Sequence, residues 1–162
     1  MVKKISRAAI IAALYVALTV LLMPISFYAF QVRVAEALTV LPFIFPEAVW
    51  GLFIGCLIAN FFGGLGILDI AVGSTLTLIA AFLTMQLAKT RKPILAPLPP
   101  LILNAFGVSA YLMFLIAPPP LPFHIPTYFL FVITIGFGEF VATYIIGLPL
   151  LLFLRRKVWK GR

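Results

Sequence analysis

Acidic side chains are almost missing from this sequence of 162 residues: only Glu36, Glu47, Asp69 and Glu139 stand against twelve lysines and arginines. Charge of either sign amounts to 10% of the chain, where an average soluble domain carries about one quarter. That leaves too little polar surface to cover a water-soluble globule, and it excludes the soluble and disordered classes. Cys56 is the only cysteine, so no internal disulfide exists, and its apolar run predicts a small packing residue. The single histidine, His124, lies in a proline-rich loop with no second histidine or cysteine cluster, so no metal site is expected. No serine sits in a glycine-flanked elbow and no phosphate-cradling Walker sequence occurs, so neither hydrolase chemistry nor ATP binding is readable. No period of 20–50 residues recurs, which excludes an array of repeats. Nothing in the chain calls for a cofactor.

What is present is oil. Hydrophobic residues make up 64%, and a bilayer-spanning helix takes about 20 residues, so there is room for roughly five to seven spans in one domain, 1–162. The formal charge of +8 suggests nucleic acid until its placement is read. Lys3, Lys4 and Arg7 form one cluster, Lys89, Arg91 and Lys92 a second, and Arg155, Arg156, Lys157, Lys160 and Arg162 a third; only Arg33 lies elsewhere. Cations confined to the ends of apolar segments are what the positive-inside rule and anionic headgroups of membrane lipid select. No interleaved aromatic and basic pattern accompanies them, so nucleic acid is excluded as a partner.

The sequence predicts helices at about 6–27, 35–45, 47–62, 68–89, 97–116 and 127–156. The first has no small-x-small cleavage site after it, so a retained helix is expected, not a cleaved leader. The last is overlong and should tilt or extend beyond the bilayer. Residues 36–62 are the ambiguous stretch. One helix there would be about 40 Å long, more than a bilayer needs, and Pro42, Pro46 and Glu47 interrupt it. Splitting at Pro46-Glu47 puts all three basic clusters on one side, whereas a single helix cannot. The expected fold is therefore an all-α integral membrane protein, a compact six-transmembrane-helix bundle with both termini cytoplasmic. Gly63-Gly64-Leu65-Gly66 should reverse tightly, and 117–126, rich in proline, should form a stiff outer lid.

On insertion scales a carboxylate at mid-membrane costs about 2.5–3.5 kcal/mol, so each needs a partner, water or a task. Glu47 falls at the cytoplasmic break, where solvation suffices. Glu36 starts the second helix three residues after Arg33; it either forms an interfacial ion pair with it or meets a ligand. Asp69 opens the fourth helix, where an N-cap is the plain explanation. Glu139 lies about three turns into the sixth helix, on one face with Tyr128, Val132, Gly136 and Thr143, with Gly136 and Gly138 clearing space around it. Asn60 and Asn104 are either interhelical glue or ligand contacts. These groups gather toward the outer ends of their helices, which suggests a cavity open on one side and not a through-pore. Gly51, Gly55 and Ala59 form small-xxx-small spacing, and Ala8, Ala12, Ala9 and Ala13 make a flat strip on the first helix; both serve either packing within the chain or docking of a partner.

Several segments together carry a resemblance. Gln31-Val32-Arg33-Val34-Ala35-Glu36-Ala37-Leu38-Thr39-Val40-Leu41-Pro42 resembles the first-loop segment of the QueT family, substrate-binding S components of energy-coupling factor (ECF) transporters. Gly55-Cys56-Leu57-Ile58-Ala59-Asn60-Phe61-Phe62-Gly63-Gly64 with Leu68-Asp69-Ile70 is similar to it too, as is Gly138-Glu139-Phe140 with Tyr144 and Gly147-Leu148-Pro149. The resemblance covers nearly the whole chain. It implies a binding subunit in a bacterial-type cell membrane, not an enzyme, that takes up a queuosine precursor (a 7-deazaguanine base) from outside. It further implies a transmembrane coupling subunit, docked on the alanine strip, and two ATPase subunits. For such a base, Glu139, Asp69 and Glu36 are candidate acceptors, Arg33 a candidate contact, and Asn60 or Asn104 a two-way partner. Tyr111, Tyr128, Tyr28 and Phe30 are candidate stacking walls. Against this stand an S component for another nutrient, an intramembrane enzyme using Glu139 and Asp69, and a purely structural subunit.

Overall fold

The computed structural model describes residues 2–26, 32–118 and 125–160, and among them there is helix and no strand. Four helices are long and apolar enough to cross a membrane: Val2–Leu21, Asp69–Thr90, Pro93–Leu112 and Thr127–Lys157. Two shorter apolar helices, Val34–Phe43 and Ala48–Gly63, lie between the first two of these. We number the six in chain order, first to sixth. A further turn, Met23–Ser26, follows the first. The fifth runs Pro93–Leu112 where 97–116 was expected: Pro93 and Pro97 are tolerated in an opening turn, which needs no N–H from them.

The chain does break at the expected place, between Phe43 and Ala48. The second helix, however, is 3-10 over all ten residues, a long run for that geometry. Pro42 lies inside it, and Ala35 through Phe43 are all buried. It touches the first, third, fourth and sixth helices and forms the axis around which they pack. A largely apolar helix suits such an enclosed position, and its two polar residues, Glu36 and Thr39, are buried with it. At about 2.0 Å per residue it is roughly 20 Å long, and the third helix, at 1.5 Å, is roughly 24 Å.

Large apolar side chains face outward as well as inward, and hydroxyls are buried among the apolar core. Phe61, Phe137, Ile133 and Ile145 are exposed, while Thr19, Thr39, Ser109, Thr134 and Thr143 are buried. The hydroxyls of Thr19, Ser109 and Thr143 donate to the carbonyls of Tyr15, Ala105 and Glu139 one turn back, which satisfies them within their own helix. An apolar exterior over such an interior suits a lipid solvent.

Small residues set the closest approach. A Cβ on Gly51 would lie 2.5 Å from the Ala8 carbonyl oxygen, and one on Gly55 2.9 Å from the Tyr15 Cβ. So the first helix packs on the third through Ala8, Ala12 and Tyr15 against two glycines. Ala8 and Ala12 are half-buried against the third helix, Ala9, Ala13 and Ala17 are exposed, and all five line one open apolar groove with Ile5, Gly51, Ile54 and Ile58. The turn after the third helix reverses through Gly64 and Gly66 in left-handed backbone, the conformation glycine adopts without a Cβ clash. At the opposite end, Glu47 is not simply solvated. It pairs with Arg7, whose guanidinium also lies 4.2 Å from the Phe45 ring centroid.

Candidate ligand-binding site

Of the candidate ligand contacts, eight lie in the described residues, and seven of these gather in one buried region at the ends of the helices remote from residues 89–92. Glu36, Asn60, Asp69, Asn104 and Glu139 are each at most 4% exposed, Tyr111 8%. They come from five different helices, so no single run of sequence displays the site.

Asp69 is the first correction. It is not an N-cap; its side chain turns inward and its Oδ1 accepts from the Tyr111 hydroxyl at 2.7 Å. Tyr111, proposed as a stacking wall, therefore acts as a hydrogen-bond donor. The Asp69 backbone carbonyl accepts from Asn60 Nδ2 at 2.9 Å, which ties the third helix to the fourth across the glycine turn. Gly73, one turn after Asp69, makes room for this arrangement. A Cβ there would lie 2.9 Å from both Asn60 Nδ2 and the Tyr111 hydroxyl.

Glu36 belongs to the interior and not to the interface: its Oε1 accepts from the Tyr15 hydroxyl of the first helix. Thr39 Oγ1 holds its backbone carbonyl at 2.6 Å. Glu139 Oε1 accepts from Asn104 Nδ2 at 3.0 Å, tying the fifth helix to the sixth. Arg33 lies within electrostatic reach of Glu36, Asp69, Tyr15 and Cys56. Cys56 is more than packing. Its sulfur receives contacts from Thr77 Oγ1 at 3.3 Å, Asn60 Nδ2 at 3.6 Å and Arg33 Nη1 at 3.9 Å. Tyr128 stands apart, half-buried, with its hydroxyl donating to the Phe106 carbonyl at 3.3 Å. Gly136 does not clear space beside Glu139; a Cβ there would meet the Ala105 Cβ at 3.4 Å, an ordinary helix–helix contact. Tyr28, Phe30, His124 and most of the proline-rich loop lie outside the described residues.

Two features organise the chemistry. Each of the three carboxylates has one oxygen engaged and the other (Glu36 Oε2, Asp69 Oδ2, Glu139 Oε2) buried without a hydrogen-bond partner. An orphaned buried acceptor costs about 1–3 kcal/mol, more when charged, so a group of them marks acceptors held ready for donors. Second, the helices widen into π turns at Asp69–Gly73, Asn104–Val108 and Val141–Gly147. Asp69 and Asn104 open the first two, and Glu139 stands just before the third. Such widened turns are rare and concentrate where side chains must be aimed.

Sequence reasoning missed Tyr15, Gly73, Cys56 and Thr77. A phenol inside an apolar helix needs a partner for its hydroxyl, and a glycine one turn after an intramembrane aspartate shares its face; both were legible signals. The grouping of Thr77 with Cys56 had none.

In comparison with known proteins, a family model described as QueT transporter matches residues 5–156. No match is found among curated proteins or among solved structures.

Proposed function

The chain belongs to the QueT transporter family, and from that premise we propose that it captures a 7-deazaguanine precursor of queuosine (preQ1, preQ0 or queuine) in the buried polar cluster. The family's members are membrane substrate-binding S components of ECF transporters, so this is a multi-pass transport protein and not an enzyme, working with an energising module. On the proposed reading it is a six-helix bundle with both termini cytoplasmic. A transmembrane coupling subunit docks along the strip of Ala8, Ala9, Ala12 and Ala13, and ATP is hydrolysed by two further subunits.

The observation that carries the substrate reading is the set of three buried carboxylates, each with one unpartnered oxygen, against one guanidinium. A deazaguanine presents a ring N–H and an exocyclic amine on one edge, which a carboxylate accepts as a pair. Its carbonyl suits an asparagine amide or Arg33. The excess of carboxylates over Arg33 suits a precursor carrying a cationic aminomethyl group better than its neutral nitrile counterpart, because a buried charge needs its opposite.

Glu139 is assigned the guanine-like edge. In Glu139→Gln the amide oxygen retains the Asn104 contact, and the amide nitrogen then faces the ligand's donors. Losing a charged acceptor and opposing two donors should weaken binding by more than about tenfold. Isothermal titration of the purified protein with preQ1 and preQ0 reads this directly. Unchanged affinity in the variant removes Glu139 from the site; binding of a vitamin with no response to either base replaces the substrate.

A further inference from the structure

A second groove lies on the outside of the molecule, away from the alanine strip and the carboxylate cluster. It has a volume of about 420 Å³ between the third and fourth helices, and its walls include Pro46, Val49, Trp50, Leu78, Phe82 and Met85. Trp50 is 61% exposed and Phe82 48%. Leu78, Phe82, Met85 and Lys89 fall on one stripe of the fourth helix, spaced by three and four residues. The groove therefore leads, one turn beyond Met85, to Lys89, Arg91 and Lys92, all exposed.

That basic loop is built, not merely charged. Thr90 Oγ1 donates to the Leu87 carbonyl at 2.7 Å and accepts the Lys92 N–H at 3.2 Å. Arg91 is the only non-glycine among the described residues with positive φ, at 59°, and its N–H closes on the Ala88 carbonyl. The nearest acid, Glu47, sits beside Pro46 but is paired with Arg7, so nothing at this end repels an anion. An apolar slot that opens on three cations is complementary to a molecule with an acyl chain and an anionic head.

The geometry points to a specific site for one anionic phospholipid. Its acyl chain lies between the third and fourth helices, and its phosphate is held by Lys89, Arg91 and Lys92. Unlike the lipid that coats any membrane protein, this molecule is selected by headgroup charge at one loop. Trp50 stands in the opening turn of the third helix, and exposed indoles favour the interfacial level of a bilayer. The reading is independent of which nutrient is carried.

Native mass spectrometry of the full chain tests it, after reconstitution with phosphatidylglycerol and phosphatidylcholine of matched chains. One phosphatidylglycerol should be retained with at least about tenfold preference, since each cation near an anionic headgroup contributes about 1 kcal/mol and about 1.4 kcal/mol is tenfold. Replacing Lys89→Gln, Arg91→Gln and Lys92→Gln together should bring the preference close to parity. Neutralising Arg155, Arg156 and Lys157 to glutamine should leave it intact. Ile79 is a further wall residue of the groove, and Ile79→Trp, which fills it and spares the cations, should remove the retained lipid. An undiminished preference in the first variant, or equal losses in both charge variants, overturns the site. So does a wild-type chain that retains no lipid, the result expected if a protein helix fills the groove.

Discussion

Replacing Gly51 by alanine tests the closest approach in the bundle. The added Cβ would sit 2.5 Å from the Ala8 carbonyl oxygen and 3.2 Å from its carbonyl and α carbons. These are backbone atoms of a continuous helix, so no rotamer change relieves the contact. The first helix must move away from the third by several tenths of an ångström. In lipid nothing apolar drives the two back together, because the tails are as oily as the side chains; close packing itself holds them. Overpacking of this kind costs about 1–3 kcal/mol. At roughly 2–4 °C per kcal/mol for a chain of this size, that corresponds to a midpoint lowered by about 2–12 °C.

Cys56 supplies the assay. It is free and buried, so labelling by a thiol-reactive dye during heating in detergent follows opening of the interior. Gly64→Ala is the companion measurement. Nothing lies within 4 Å of its added Cβ, and only the φ of +70° opposes it, a cost of about 1 kcal/mol. Gly51→Ala should therefore fall further than Gly64→Ala. An unchanged midpoint for Gly51→Ala would refute the claim that backbone contact at Ala8 sets the helix spacing.

Other outcomes follow from the same geometry. Tyr111→Phe strips Asp69 Oδ1 of its donor, and titration should show ligand affinity down by about tenfold, a loss of one hydrogen bond to a charged group. Gly73→Ala crowds the far ends of Asn60 and Tyr111, which can swing; affinity should fall while the unfolding midpoint moves little, a split that paired titration and dye-labelling measurements detect. In the Arg7–Glu47 pair Arg7 is 42% exposed and Glu47 10%; with the cation open to solvent, a double-mutant cycle on unfolding should return about 1 kcal/mol of coupling.

The helical, membrane-embedded character was legible because it rests on composition and on where the cations stand. The break at Pro46-Glu47 was legible too, since proline and a carboxylate both act locally. The 3-10 winding of the second helix was not: Ala35, Leu38 and Leu41 have nothing in their order to choose between helix types, and burial among four neighbours decides it. The site divides the same way. That Glu36, Asp69 and Glu139 would be costly follows from each residue alone. Whom each meets does not, because Tyr15 reaches Glu36 across 21 positions and Tyr111 reaches Asp69 across 42. Asp69 misled for a physical reason, since an aspartate at a helix start usually caps it, and only the inward turn toward Tyr111 overrides that habit.

The first helix joins what sequence treats as two separate features. Ala8, Ala12 and Tyr15 lie on the stripe buried against the third helix, and Ala9, Ala13 and Ala17 on the neighbouring stripe that faces outward. Ala8 and Tyr15 are about 10 Å apart along a continuous helix, so a force applied to the outward alanines moves the Tyr15 hydroxyl with them. That hydroxyl is the donor on Glu36. A hydrogen bond of this kind weakens steeply once its angle or length departs from the optimum, so the helix cannot shift toward a partner without loosening Glu36 or carrying it along. On the proposed reading, docking at the alanine face and retention of a ligand at the carboxylates are thus mechanically linked through one side chain. An apolar residue in place of Tyr15 would fill the same space and break that link.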